Sequence, residues 1–172
     1  MVTIGKLENT PVGRIWIAAS DDGVVGISLW DEPEQFLADV ARVTGDIPDP
    51  AAPSNPIVRA AVAELDAYLR GELREFTTPI EWAILKPFQR EVLERVMAVP
   101  YGHTTNYGTI AERISRPGAM RAVGRANATN PIPIIIPCHR ILGADGKLHG
   151  YGARGGLETK AWLLRLEGSW LI

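Results

Sequence analysis

The chain has one cysteine, Cys138, in 172 residues, and only three histidines, His103, His139 and His149. A single thiol excludes an internal disulfide, and three scattered histidines give no ligand spacing of the zinc type, so no metal is expected. No stretch approaches the ~18 consecutive apolar residues of a membrane-spanning helix, and the first residues lack a signal-peptide pattern. The expectation is a soluble, cytoplasmic protein without membrane contact. Acidic residues are missing between Glu112 and Asp145, a stretch that holds Arg113, Arg116, Arg121, Arg125 and Arg140.

That gap belongs to a wider asymmetry. Residues 1–82 carry 6 Lys and Arg against 14 Asp and Glu, a balance of −8, whereas residues 83–172 carry 12 against 6, a balance of +6. The total of −2 hides the division. A basic half is the electrostatic footprint of a phosphate-facing surface, and an acidic half would keep non-specific binding to nucleic acid modest. A basic face that is merely solvated satisfies the same count. With 46% hydrophobic residues the chain is globular and long enough for two small domains, which the charge break places at 1–82 and 83–172.

In the first domain, Val2 to Leu7, Arg14 to Ser20 and Val24 to Trp30 are Val-, Ile- and Trp-containing runs separated by Asn9-Thr10-Pro11 and Asp21-Asp22-Gly23. They predict an antiparallel meander. Phe36, Leu37, Val40 and Val43 have the spacing of an amphipathic helix over Glu34 to Val43, and prolines at 48, 50, 53 and 56 make a stiff connection. Ile57 to Leu69 predicts a second helix with a glycine stop at Gly71, and Phe76 to Trp82 a further strand. With no cysteine, no histidine and no convergent polar cluster, this α/β domain reads as scaffold.

The second domain opens with Pro87 and a helix to Val99 that turns Phe88, Val92, Leu93, Val96 and Met97 inward. Thr104 or Thr105 can cap a short helix through Ile114, and Ser115-Arg116-Pro117-Gly118 leads into another from Ala119 to Ala128. The pair is a helix-turn-helix in a mainly α domain. Ala119, Ala122 and Ala126 share a face beside Arg121 and Arg125, so this helix suits a minor groove only ~6 Å wide. Close helix packing would explain the alanines equally well. Leu157 to Leu166 is the last helix, with Leu157, Trp162, Leu163 and Leu166 as its apolar set. Glu167 at its C-terminus opposes the helix dipole and therefore has a partner, unless it is simply exposed.

Chemistry concentrates in Asn130-Pro131-Ile132-Pro133-Ile134-Ile135-Ile136-Pro137-Cys138-His139-Arg140. Three prolines in seven residues hold the approach extended, and Pro137 suits the first position of a new helix. Cys138 would then lie in a first helical turn, where free N–H groups favour the thiolate, with His139 as a base and Arg140 as a fixed positive charge. A small buried hydrophobe is the plainer explanation of a lone cysteine. A Cys-His thiol hydrolase is a further alternative, although such pairs normally meet through space rather than in sequence.

Pro-Cys-His-Arg preceded by Asn-Pro-Ile-Pro resembles the active-site signature of the O6-alkylguanine-DNA alkyltransferases, also called methylated-DNA-protein-cysteine methyltransferases. The similarity runs from Phe88 to Glu167 and includes Pro100-Tyr101-Gly102, the Tyr107 segment, Arg121-Ala122-Val123-Gly124 and Gly155-Gly156-Leu157. It implies direct, single-turnover repair. The Cys138 sulfur would take the alkyl group from O6-alkylguanine, or O4-alkylthymine, in double-stranded DNA bound through the minor groove by a monomer with no cofactor.

By the same resemblance His139 relays the Cys138 proton through a water and Glu167 orients that histidine. Asn130 braces the turn and contacts the thiol, and Tyr107 donates to N3 of the flipped base. Arg121 fills the vacated stack, Arg125, Ala122 and Ala126 line the groove, and Tyr151, Gly152 and the backbone of Cys138 and Ile141 hold the guanine edge. Some relatives bind zinc in the first domain, but those ligands are missing here. Gly152-Ala153-Arg154 lengthens the pocket rim relative to many relatives. A damage sensor that binds alkylguanine without repair is the second alternative, although such proteins replace the cysteine that is intact here.

Overall fold

Alternation of Ile and Val with smaller or polar residues, punctuated by two turns, produces the antiparallel meander. β1 (Thr3–Thr10), β2 (Gly13–Ala19) and β3 (Val24–Leu29) pair in the order β1-β2-β3, with Ile4 opposite Ala18 and Ile17 opposite Ile27. The computed structural model describes residues 1–29, 32–148 and 156–169. Among these, no helix is long and apolar enough to cross a membrane.

Helices cover both faces of this sheet. α1 (Pro33–Thr44) buries Phe36 and Val40 against Ile4, Ala18 and Val25, and α2 (Pro56–Leu69) buries Val58, Ala61 and Leu65. Glycines set the approach: a Cβ at Gly26 would come within 3.3 Å of Phe36, and one at Gly5 within 2.6 Å of Val58. Val43, expected inward, is exposed at the end of α1.

The strand expected over Phe76 to Trp82 does not form. It contributes one parallel bridge, Ile80 to Val24, because the Thr77 and Thr78 N–H groups donate to the Glu64 carboxylate and Pro79 has no N–H to offer. Two compact units result, residues 1–84 and 85–172. The division lies two residues beyond the charge break because Trp82–Ile84 form a 3-10 turn and Ile84 packs on the α1 cluster.

The second unit is mainly helical. α3 (Pro87–Met97) buries Val92, Leu93 and Val96 and packs against α4 (Tyr107–Arg113) and α5 (Met120–Ala128). Asn106, not Thr104 or Thr105, caps α4: its Oδ1 accepts from Thr109 N at 2.8 Å. Thr105 and Asn106 instead form β4, paired in parallel with β5 (Ile141–Leu142). α6 (Gly156–Leu166) buries Ala161, Leu163 and Leu164, while Leu157, expected in its apolar set, is 46% exposed.

The proline-stiffened run threads the core of this unit, with Ile132, Ile134, Ile135 and Ile136 all buried. It turns sharply, with Ile136 N donating to Ile132 O at 3.0 Å and Ile134 at φ +73°. A β-branched residue in the left-handed region is strained, and here the surrounding packing enforces it.

Candidate active site

The expected helix at Cys138 is a single 3-10 turn, Cys138–Arg140. Pro137 precedes it at φ −81° and ψ 62°, and the chain then leaves at once to pair as β5. A three-residue turn has no macrodipole to speak of, so the electrostatics of the thiol come from side chains instead.

Cys138 is buried and forms no disulfide, and His139 beside it is fully buried. Glu167, carried just past the end of α6, supplies the partner expected for it. His139 Nε2 lies 2.9 Å from Glu167 Oε2, Arg140 Nε donates to Oε1 at 2.8 Å, and Arg140 Nη2 donates to Oε2 at 2.8 Å. Arg140 Nη1 also donates to Val99 O at 2.6 Å. Arg140 is therefore not part of a phosphate-facing surface. It is buried, and its doubly bonded guanidinium keeps Glu167 ionised.

An ionised carboxylate only accepts, so His139 Nε2 carries the hydrogen of that bond and Nδ1 is left as the basic nitrogen. Nδ1 is buried without a hydrogen-bond partner. Burial holds His139 below its ordinary value of 6.5, with Arg140 and Lys160 acting in the same direction and Glu167 pulling back. The histidine is neutral at pH 7, the state in which Nδ1 can take a proton.

Around this centre the chain places three further polar groups. Asn130 Nδ2 donates to Ile136 O at 3.0 Å and its Oδ1 accepts from Ile132 N at 2.9 Å, which ties the two ends of the turn together. Tyr107, the first residue of α4, is half-buried, and burial together with the charge of Cys138 pushes its phenol up, so it stays protonated and able to donate. Lys160 is completely buried on α6 and donates to Ile141 O at 2.6 Å. Burial pushes its ammonium down to about 8, while Cys138 pulls it up.

One sequence expectation, that for Ala126, needs correction here. The backbone of Cys138 and Ile141, expected to hold a base edge, makes the following contacts within the fold. Cys138 O accepts from Ile141 N and from Asn127 Nδ2, the latter at 3.2 Å, and Ile141 O accepts from Lys160. Ala126, expected on the groove face of α5, is 6% exposed and packs inward with Val123 and Asn127. The outer face of α5 is Arg121, Ala122, Arg125 and Ala128, all exposed. Tyr151 and Gly152 lie outside the described residues.

Lys160 and Asn127 were not picked out from sequence. Each is a polar residue on an apolar stripe, Lys160 three before Leu163 and Asn127 four after Val123, and that position was the available signal. Among the described residues no cluster of three His, Cys, Asp or Glu side chains could hold a metal.

Comparison with known proteins bears on the same residues. Residues 87–169 match the model of the 6-O-methylguanine DNA methyltransferase DNA binding domain, and residues 5–82 match that of the ribonuclease-like domain of the same proteins. The chain belongs to the methylated-DNA–protein-cysteine methyltransferase family. It is 50% identical to the methyltransferase of that name from Mycobacterium tuberculosis H37Rv over 161 residues, 94% of this chain and 90% of that one. The Salmonella typhimurium methyltransferase is 38% identical over 167 residues, 95% of this chain and 94% of its own. The crystal structure of M. tuberculosis OGT in complex with DNA superposes with a TM-score of 0.78 at 38% identity, covering 97% of this chain and 93% of that one. The Pyrococcus kodakaraensis O6-methylguanine-DNA methyltransferase superposes at 0.70 with 27% identity, covering 98% and 99%.

Proposed function

We propose that this methyltransferase repairs alkylated DNA by accepting the alkyl group on Cys138, once per molecule. The observation that carries the proposal is the line Cys138, His139, Glu167: a lone buried thiol next to a neutral histidine whose free nitrogen is Nδ1 and whose other nitrogen is fixed on an ionised carboxylate. That is the arrangement of an activated nucleophile with its base and the group that orients the base.

In the proposed reaction the Cys138 proton passes to His139 Nδ1, and the sulfur attacks the alkyl carbon on O6 of a guanine rotated out of the stack. The carbon–O6 bond breaks and its electron pair leaves with the base. Tyr107, kept protonated, donates to the departing guanine as charge develops on it. The thioether product is stable to water, so the acceptor is spent.

Family membership and the DNA-bound relative support DNA as the partner. The exposed Arg121 and Arg125 flank the small Ala122 on α5, which supports a helix pressed into the minor groove, with Arg121 filling the gap left by the flipped nucleotide. A monomeric acceptor and a cytoplasmic setting are part of the same proposal.

The test is to incubate the protein with a duplex carrying one O6-methylguanine and weigh the intact chain. One added methyl on Cys138, absent in Cys138→Ser, is the expected result. Tight binding without a mass change would make the protein a damage sensor, and neither binding nor mass change would return attention to thiol hydrolysis.

A further inference from the structure

The segment that follows α3, Val99 to Gly102, takes no part in the proposed reaction, yet it touches both members of the ion pair behind His139. Val99 O accepts from Arg140 Nη1 at 2.6 Å, and the central carbon of the Arg140 guanidinium stands over the Tyr101 ring, 5.7 Å from its centre. The Tyr101 hydroxyl donates to Leu166 O at 3.3 Å, one residue before Glu167. Gly102 lies against the same stretch at φ +79°, where a Cβ would come within 3.3 Å of Glu167 O. Tyr101 thus bridges the arginine and the end of the helix that delivers the carboxylate, with its ring on one and its hydroxyl on the other.

The bridge matters because Glu167 is shared. Its Oε2 accepts from His139 Nε2 at 2.9 Å and from Arg140 Nη2 at 2.8 Å, so any shift of the guanidinium changes what is left for the imidazole. All three guanidinium nitrogens already donate, Nε and Nη2 to Glu167 and Nη1 to Val99 O. The ring adds an attraction of another kind, between a cation and the negative face of an aromatic system, and it acts on a guanidinium that is only 7% exposed.

We infer that Tyr101 is a positioning residue for the alkyl transfer: its ring holds Arg140 and its hydroxyl holds the end of α6, so that Glu167 keeps His139 in place beside Cys138. The inference rests on the proposed alkyl transfer. It adds a residue that acts through Arg140 and Glu167 rather than on the substrate.

The ring and the hydroxyl can be removed separately, and the measurement is the rate of methyl transfer at saturating O6-methylguanine duplex as a function of pH. Tyr101→Phe keeps the ring and should stay within about twofold of wild type, the weight of one long hydrogen bond. Tyr101→Leu removes both and should be about tenfold slower, because a cation–π contact worth about fivefold is lost as well.

His139 faces Cys138 and Arg140 on its own turn and Glu167 and Lys160 from α6 and its end, with Tyr107 of α4 facing the thiol. Arg140 disfavours protonation of His139, so a loosened Arg140 should move the acid limb of the profile to higher pH in the leucine variant. The phenylalanine variant should keep the wild-type limb.

A leucine variant that works at the wild-type rate overturns the inference. So does a phenylalanine variant as slow as the leucine one, or a slow leucine variant whose acid limb has not moved, which is what a ring that merely fills space would give. The rate of Cys138 modification by iodoacetamide over the same pH range separates this inference from the repair function. If the wild-type protein transfers no methyl, repair fails. Modification slowed by leucine but not by phenylalanine would still establish the role of Tyr101, and equal modification of all three proteins would overturn it. Should the leucine variant not fold, Tyr101→Met fills the space with an unbranched chain and is judged by the same outcomes.

Discussion

The two units use polar side chains to opposite effect. In the first, the half-buried Asn55 and the partly exposed Glu64 are spent on the backbone. Asn55 Oδ1 accepts from Val58 N at 2.8 Å and its Nδ2 donates to Ala19 O and Ser20 O at 3.1 Å, and both Glu64 oxygens accept from Thr77 and Thr78. In the second, His139 and Asn127 each keep one buried polar atom without a partner, and both adjoin Cys138. Among the described residues of the first unit one such atom is found, Trp16 Nε1, with Lys6 and Arg14 over its ring. Satisfied polar groups fix a fold; open ones cost stability and are kept where a proton has to move.

The sharpest way to break this contrast is Glu167→Ala. It strands two buried donors, His139 Nε2 and the Arg140 guanidinium, which share that carboxylate. Removing one partner of a buried ion pair costs about 3–5 kcal/mol, read as a drop in urea midpoint, and methyl transfer should fall with it as His139 loses its orientation. Asn55→Ala in the first unit should cost about 2 kcal/mol, the helix cap plus its bridges to the β2 turn, with methyl transfer at saturating DNA unchanged. An Asn55→Ala variant that repaired more slowly would mean that the first unit does more than support.

The units should also respond differently to acid. The neutral form of His139 is favoured on folding, so its contribution is complete above its ordinary value of 6.5 and is lost as pH falls below it. For Glu64, partial burial opposes the charged form, but hydrogen bonds from Thr78 and Thr77 outweigh it and hold the carboxyl below its ordinary 4.5. Its contribution is complete above 4.5 and is lost only as pH falls further, through the lowered folded value. Acid should therefore weaken the second unit first, by up to about 1.4 kcal/mol per pH unit for one proton, as followed by NMR signals assigned to each unit. Simultaneous loss of both sets of signals at carboxylate pH would remove the asymmetry.

Much of this was legible beforehand. Periodicity and turn chemistry located β1 to β3 and the helices to within a few residues, because those patterns are local. The single cysteine, its histidine and Glu167 could be named from sequence, and the unfavourable position of Glu167 at a helix end left two readings, a partner or simple exposure, of which the fold has the first. What was missed depends on tertiary competition. Thr77 and Thr78 could have built a strand had Glu64 not taken their N–H groups, and Cys138 could have begun a helix had β4 not drawn Ile141 and Leu142 into a ladder. Arg140 counted as surface charge until its guanidinium was found on a carboxylate 27 residues away.

The smallest expected effect tests the same chemistry in the second unit without burial. Arg90 Nε donates to Glu94 Oε1 at 2.9 Å, an i,i+4 pair on α3 with both side chains nearly half exposed, against 2.8 Å for the buried Arg140 Nε to Glu167. The bond lengths are almost equal. In water, however, the charges gain little by meeting, and two long side chains must be ordered to hold them, so a double-mutant cycle on Arg90 and Glu94 should give about 0.3–0.5 kcal/mol and no change in methyl transfer. The same cycle on Arg140 and Glu167 should give a coupling several times larger, because each single substitution there leaves a charge in a site that water does not reach. Equal couplings in the two cycles would mean that water reaches the Glu167 carboxylate. The ionised, dry partner assigned to His139 would then have to be abandoned.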